Sequence, residues 1–106
     1  MFVKICKVSE IQDGELYRFD ISEKSLLVTR MGERFFVTSS ICTHEEADLS
    51  LGMFSEGVIT CPLHRAKFEV QSGRVVEGPN GEDSGSIRKL GVFNTRIENG
   101  EIWVDI

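Results

Sequence analysis

Two short segments hold most of the side chains in this chain that can bind a transition metal. Cys42-Thr43-His44 is a C-x-H motif, and Cys61-Pro62-Leu63-His64 is a C-x-x-H motif downstream of it. Both histidines of the protein and two of its three cysteines fall in these segments. Two thiolates and two imidazoles suit either a tetrahedral zinc ion or an iron-sulfur cluster with mixed ligation. Spacing helps to separate the two. Four ligands closing on one ion want about two to four residues inside each pair, and Cys42 and His44 have only Thr43 between them. In a 2Fe-2S cluster each segment can give its cysteine to one iron and its histidine to the other, so the pair need not converge on one atom. The one-residue spacer then fits without strain.

The elements that carry these segments read as strands. Short runs rich in β-branched, aromatic and other apolar residues at 2–8, 16–21, 25–29, 34–38, 58–60, 67–70, 88–93, 95–97 and 101–105 are separated by turn signals. Asp13-Gly14, Gly32, Gly73 and Asn99-Gly100 supply the positive-φ positions that tight turns need, and Asn99-Gly100 reads as a hairpin. No window longer than about ten residues sustains a 3.6-residue period. A single turn around 45–49 is the one helical candidate, and 77–86, with three glycines, a proline and three acids, reads as a surface loop. The pattern is all-β, and residues 1–106 are expected to form a single domain.

Composition narrows the function. With 106 residues, 41% of them hydrophobic and 27% charged, the chain can bury roughly 65% of its surface without disulfide support. A net charge of -5 argues against a nucleic-acid partner. Three cysteines do not make a secreted disulfide framework, so reduced thiols or metal ligands are expected. No apolar run approaches the roughly 18 residues of a membrane span. The opening MFVKICKVSE lacks a signal-like apolar region, so a cytoplasmic protein is expected.

The segments CTHEEADLSLG (42–52) and CPLHRAKFEVQSGRV (61–75) resemble the two cluster-binding loops of Rieske iron-sulfur proteins, and the chain as a whole resembles the soluble Rieske-type ferredoxins. Leu49 and Gly52, Pro62, the strand and turn at 68–73, the Gly78-Pro79 loop and the closing hairpin extend the match. The resemblance implies the Rieske fold, antiparallel sheets with a cluster-binding subdomain at one tip and loops at about 41–52 and 60–75. It implies one 2Fe-2S cluster per chain, with Cys42 and Cys61 on the inner iron and His44 and His64 on the outer, solvent-facing one. It further implies a one-electron carrier rather than an enzyme. Electrons would come from an NAD(P)H-dependent flavin reductase and go to a ring-hydroxylating dioxygenase or multicomponent monooxygenase. Both partners would dock transiently over the His44/His64 edge of a monomer. The rival readings are a small Rieske subunit of a larger oxidoreductase, such as nitrite reductase or arsenite oxidase, and a zinc-stabilised interaction module.

Departures from the family pattern carry information. Respiratory Rieske proteins join the two loops through a disulfide, where this chain has Ala47 and Leu63. They also use a serine and a tyrosine hydroxyl to donate hydrogen bonds to the cluster, where this chain has Ala66 and Phe68. Fewer donors favour the reduced cluster less, which places the potential toward roughly -150 mV rather than +300 mV. Glu45, Glu46 and Asp48 either form a plain solvated turn or add a negative field that Arg65 opposes. Arg65 stands where many family members have glycine, so a positive φ there would strain it by roughly 1–2 kcal/mol. Cys6 reads as a small core hydrophobe, and Trp103 and Phe19, Phe35, Phe36 and Phe93 as packing.

Overall fold

The computed structural model describes residues 1–44 and 46–106. Among these residues eleven strands form, β1 (Phe2–Lys7), β2 (Leu16–Ile21), β3 (Lys24–Met31), β4 (Arg34–Ser39), β5 (Met53–Ser55), β6 (Val58–Thr60), β7 (Lys67–Glu69), β8 (Val75–Glu77), β9 (Val92–Phe93), β10 (Thr95–Glu98) and β11 (Glu101–Asp105). They make three antiparallel sheets in the orders β1-β11-β10, β2-β3-β4-β9 and β5-β6-β7-β8. Among the described residues no helix is long and apolar enough to cross a membrane.

Strand β3 explains how the sheets share a core. Its Leu26, Leu27, Val28 and Thr29 are all fully buried, so it reads as a continuous apolar run rather than an alternating one. Leu26 and Val28 face the first sheet and pack with Cys6, Val37, Ile102 and Val104. Leu27 points the other way, into a second core with Leu49, Ile59, Phe68, Val75 and Leu90, in which Cys42 and Cys61 also lie. Removing the Leu27 side chain would therefore cost about 2–5 kcal/mol and disturb the floor beneath both candidate cysteines.

The hairpins follow from local conformation. Ser22 and Glu23, at φ 50° and 66°, turn β2 into β3, and Asn99 and Gly100, at φ 53° and 73°, turn β10 into β11. Paired left-handed residues match the twist of the strands they connect.

Strands β5 and β8 were not expected, and three further segments depart from the sequence reading. Only Val92–Phe93 of the strand expected at 88–93 joins a sheet. Upstream, the Leu90 N–H donates to the Gly73 carbonyl at 2.8 Å, while the Ser39 N–H donates to the Gly91 carbonyl at 2.9 Å. The segment crosses from one core to the other through single bonds instead of a ladder. Gly73 permits the crossing, because a Cβ there would lie 2.0 Å from the Leu90 carbonyl oxygen. The turn expected at 45–49 forms as a 3-10 turn at Leu49–Leu51, where the Asp48 side chain accepts from the Ser50 N–H and so starts the turn later. Glu45 lies outside the described residues. In the stretch expected as a surface loop, Gly78 and Pro79 are buried.

Cys6 is 6% exposed on β1. Burial, with Glu10 adding to it, pushes its thiol up to about 11. Alkylation of Cys6 by iodoacetamide at pH 8, followed by peptide mapping, is therefore expected to be on the order of a hundredfold slower than for an exposed cysteine. A rate near that of free cysteine would contradict this placement.

Candidate metal centre

The two motifs sit in loops that close in the same way. After β4, Ile41 forms an isolated antiparallel bridge with Asp48, and the Cys42 N–H donates to the Ala47 carbonyl at 2.8 Å. Between β6 and β7, Thr60 pairs with Lys67, and the Cys61 N–H donates to the Ala66 carbonyl at 2.8 Å. Each cysteine thus opens a loop sealed by a bond to an alanine, over residues 42–47 and 61–66. The C-x-H and C-x-x-H motifs thus share the backbone bond that closes their loops.

Of the four expected residues, the two cysteines share one core and the two imidazoles meet each other. Cys42 and Cys61 are each 1% exposed, in one core with Leu27, Leu49, Ile59, Ala66 and Phe68. His44 and His64 are half-buried, and their rings meet edge to face with centroids 5.3 Å apart and planes at 71°. Thiols lie inside and imidazoles at the surface. A cluster with cysteine on its inner iron and histidine on its outer iron fits that gradient of burial, and the shared core keeps water from the thiol side.

Other residues hold the loops against each other. A Cβ at position 52 would lie 2.1 Å from the Thr60 carbonyl oxygen and 3.2 Å from Pro62 Cδ, so Gly52 lets the chain leaving the first loop lie against the start of the second. The Asn80 N–H donates to the His64 carbonyl at 2.6 Å, and the Thr43 hydroxyl donates to the Arg88 carbonyl at 2.7 Å. The segment that contains the buried Pro79 therefore bonds to both loops. Its sequence signal, Gly78-Pro79, suggested a match to the family's proline loop but not this placement.

The sequence reading grouped Asp48 with a solvated acidic turn, and the structure separates it. One Asp48 carboxylate oxygen accepts from the Ser40 hydroxyl at 3.0 Å, the Ser50 N–H at 3.0 Å and the Ser50 hydroxyl at 2.7 Å. Its other oxygen accepts from Arg18 Nη1 at 2.8 Å. Burial raises the Asp48 carboxyl, but the bonds from Ser50, Arg18 and Ser40 outweigh it and hold the group at about 2. Its contribution to stability is full above the ordinary carboxylate value of 3.8 and is lost as the pH falls through about 2. Glu46 remains an exposed acid. Ala66 and Phe68 are fully buried, and neither side chain carries a hydroxyl.

The family described as Rieske [2Fe-2S] domain matches residues 1–93. The chain belongs to that family. This Rieske chain is 33% identical over 105 residues to ferredoxin CarAc of Metapseudomonas resinovorans, covering 98% of this chain and 92% of that one. It is 32% identical over 103 residues to the ferredoxin component of biphenyl 2,3-dioxygenase from Rhodococcus jostii (strain RHA1), covering 97% and 91% of the two chains. Among solved structures it is similar to the ferredoxin of a complex of reduced oxygenase and oxidised ferredoxin in carbazole 1,9a-dioxygenase. That likeness has a TM-score of 0.84 and 34% identity, covering 97% of this chain and 100% of that one. The carbazole 1,9a-dioxygenase ferredoxin from Nocardioides aromaticivorans IC177 matches with a TM-score of 0.86 and 25% identity, covering 98% and 96%. The cofactor of this Rieske domain is a 2Fe-2S cluster, and the protein is an electron carrier rather than a catalytic enzyme. The expected all-β Rieske fold is the fold observed, and the zinc-module alternative falls away.

One departure from the family pattern has an energetic consequence. His64 and Arg65 adopt φ 66° and 59°, consecutive left-handed residues with side chains. Each costs about 1–2 kcal/mol against an ordinary backbone. Arg65→Gly is therefore expected to raise stability by about 1 kcal/mol, a gain of roughly 4–8 °C in thermal midpoint, while Arg65→Ala keeps the strain and gains little. Equal midpoints for the glycine variant and the parent would contradict this account.

Proposed function

We propose that Cys42 and Cys61 bind the inner iron and His44 and His64 the outer iron of the cluster, in a single domain spanning residues 1–106. The observation that carries the reading is the pair of identically closed loops, with buried thiols and imidazole rings 5.3 Å apart at the surface. When bound, the cluster supplies one reversible electron. The chain's residues then set where that electron enters and leaves. The half-buried histidines give the path to solvent, while the core around the cysteines closes the other side.

In this reading the protein accepts an electron from an NAD(P)H-dependent flavin reductase and passes it to a terminal oxygenase, a ring-hydroxylating dioxygenase or multicomponent monooxygenase. Support comes from similar proteins named as ferredoxin components of biphenyl 2,3-dioxygenase and of an alkene monooxygenase system. Both partners dock transiently at the His44/His64 edge of a monomer, in the cytoplasm where NAD(P)H is made. Two ferric ions, two sulfides and two thiolates sum to no net charge, so the oxidised protein keeps its -5 and reduction makes it one unit more negative. That extra charge is weakly stabilised here, since the Ala66 and Phe68 side chains carry no hydroxyl to donate.

A redox titration of the purified protein, read from its visible spectrum, tests the reading. A midpoint near the low end of the Rieske range, roughly -150 mV, is expected, with Phe68→Tyr shifting it upward. A wild-type midpoint near roughly +300 mV would contradict the account of the missing donors.

A further inference from the structure

Loop 61–66 and loop 42–47 are closed alike but held unequally. The second is the turn of a ladder, in which β6 and β7 pair through Val58–Glu69, Ile59–Phe68 and Thr60–Lys67, and β7 pairs onward with β8. The first has a single bridge, Ile41 to Asp48, and its far side runs straight into a 3-10 turn. The side chains at its base are correspondingly dense. Asp48 accepts from Ser40, from Ser50 twice and from Arg18. Arg18, on β2, also donates from Nη2 to the Ser25 hydroxyl at 2.9 Å and from Nε to Asp20 at 3.0 Å. The backbone joins the same junction, with the Ser40 N–H on the Ser25 carbonyl at 2.9 Å and the Leu49 N–H on the Ser40 carbonyl at 2.7 Å. The network thus links β2, the start of β3 and both ends of the first loop.

We propose that Arg18 and Asp48 are positioning residues for the cluster site, a clasp that fixes loop 42–47 on the main sheet so that its Cys42 and His44 meet Cys61 and His64. The proposal rests on the ligand assignment above. It accounts for a carboxylate with four bonds at a place where a strand ladder is missing. It also accounts for how the loops stay in register without a covalent link, since Ala47 and Leu63 cannot form one. The Arg18–Asp48 pair is a third and a quarter exposed on its two sides, more enclosed than the Lys67–Glu77 pair beside the second loop, which is 3.9 Å apart and over two-fifths exposed on both sides. Exposed pairs of the latter kind contribute little. A clasp made of charge-assisted bonds with fixed geometry suits positioning, because removing either partner leaves the other under-bonded.

The test compares holoprotein variants Arg18→Met, Asp48→Asn, the double variant and Arg18→Lys, with Lys4→Met as control. Lys4 pairs with Glu101 at 3.2 Å across β1 and β11, in the other core's sheet. Iron release from the dithionite-reduced protein to a ferrous chelator is followed together with the EPR spectrum and the thermal midpoint. Arg18→Met and Asp48→Asn are expected to release iron about tenfold faster or more, and to alter the g values. The double variant should be no worse than the worse single, because the two act as a unit. Arg18→Lys should recover part of the loss and Lys4→Met should match the parent. Release within about twofold of the parent with unchanged g values, even alongside a lower thermal midpoint, overturns the clasp and leaves the ligand assignment standing. Equal acceleration in Lys4→Met overturns it too, by making release a measure of general stability. A parent protein that purifies with no iron overturns the ligand assignment and the clasp with it.

Discussion

The fold is governed by the requirement that two loops separate in sequence meet with their cysteines buried and their histidines only half-buried. Closing each loop through the cysteine N–H to an alanine carbonyl satisfies two polar groups that would otherwise be left unpaired beside a core. It also aims the cysteine side chain inward on both sides. Small side chains at 47 and 66 leave room at the closure, and Ala66 is fully buried there. The rest of the chain is arranged around this meeting. Strand β3 supplies the floor through Leu27, Gly52 allows the loops to touch, and the segment with Pro79 reaches both of them through Asn80 and Arg88.

The same arrangement shapes electron transfer. A core of Leu27, Leu49, Ile59 and Phe68 behind the cysteines disfavours added negative charge, and the buried positions 66 and 68 offer no hydroxyl to offset it. Both effects act in one direction and make the reduced state a ready donor, as delivery to an oxygenase needs. In the proposed reading, exchange with partners falls to the histidine edge. There the backbone of His64 and Arg65 is held in an unfavourable region, and the bond from the Asn80 N–H to the His64 carbonyl helps to secure it. Strain next to a functional edge is tolerated when the surrounding bonds over-determine the conformation.

The four candidate ligands were legible because the chain has so few cysteines and histidines that their pairing in two short motifs stands out. Most strands were legible from apolar runs and turn signals, and β2, β6 and β11 match to the residue. What the sequence hid was non-local. The stretch at 88–93 has strand-like composition, yet its bonds go singly to Gly73 and Ser39, partners that no periodicity marks. Strands β5 and β8 were also missed, each a three-residue strand at an edge of its sheet. Nothing in the sequence marks Arg18, because its partner Asp48 lies thirty positions away. That partner, in turn, looked like one more acid in a polar turn. Glycine and proline signals at 52 and 78–79 were visible, and only the packing revealed which backbone atoms they admit.

The most direct test of the central claim is pulsed EPR on the dithionite-reduced protein, with iron and sulfide assayed on the same sample. Two irons and two sulfides per chain, with nitrogen couplings from two imidazoles that are lost stepwise in His44→Ala and His64→Ala, is the expected result. An iron-free protein, or a cluster signal without imidazole coupling, would contradict the account of two loops each giving one cysteine and one histidine.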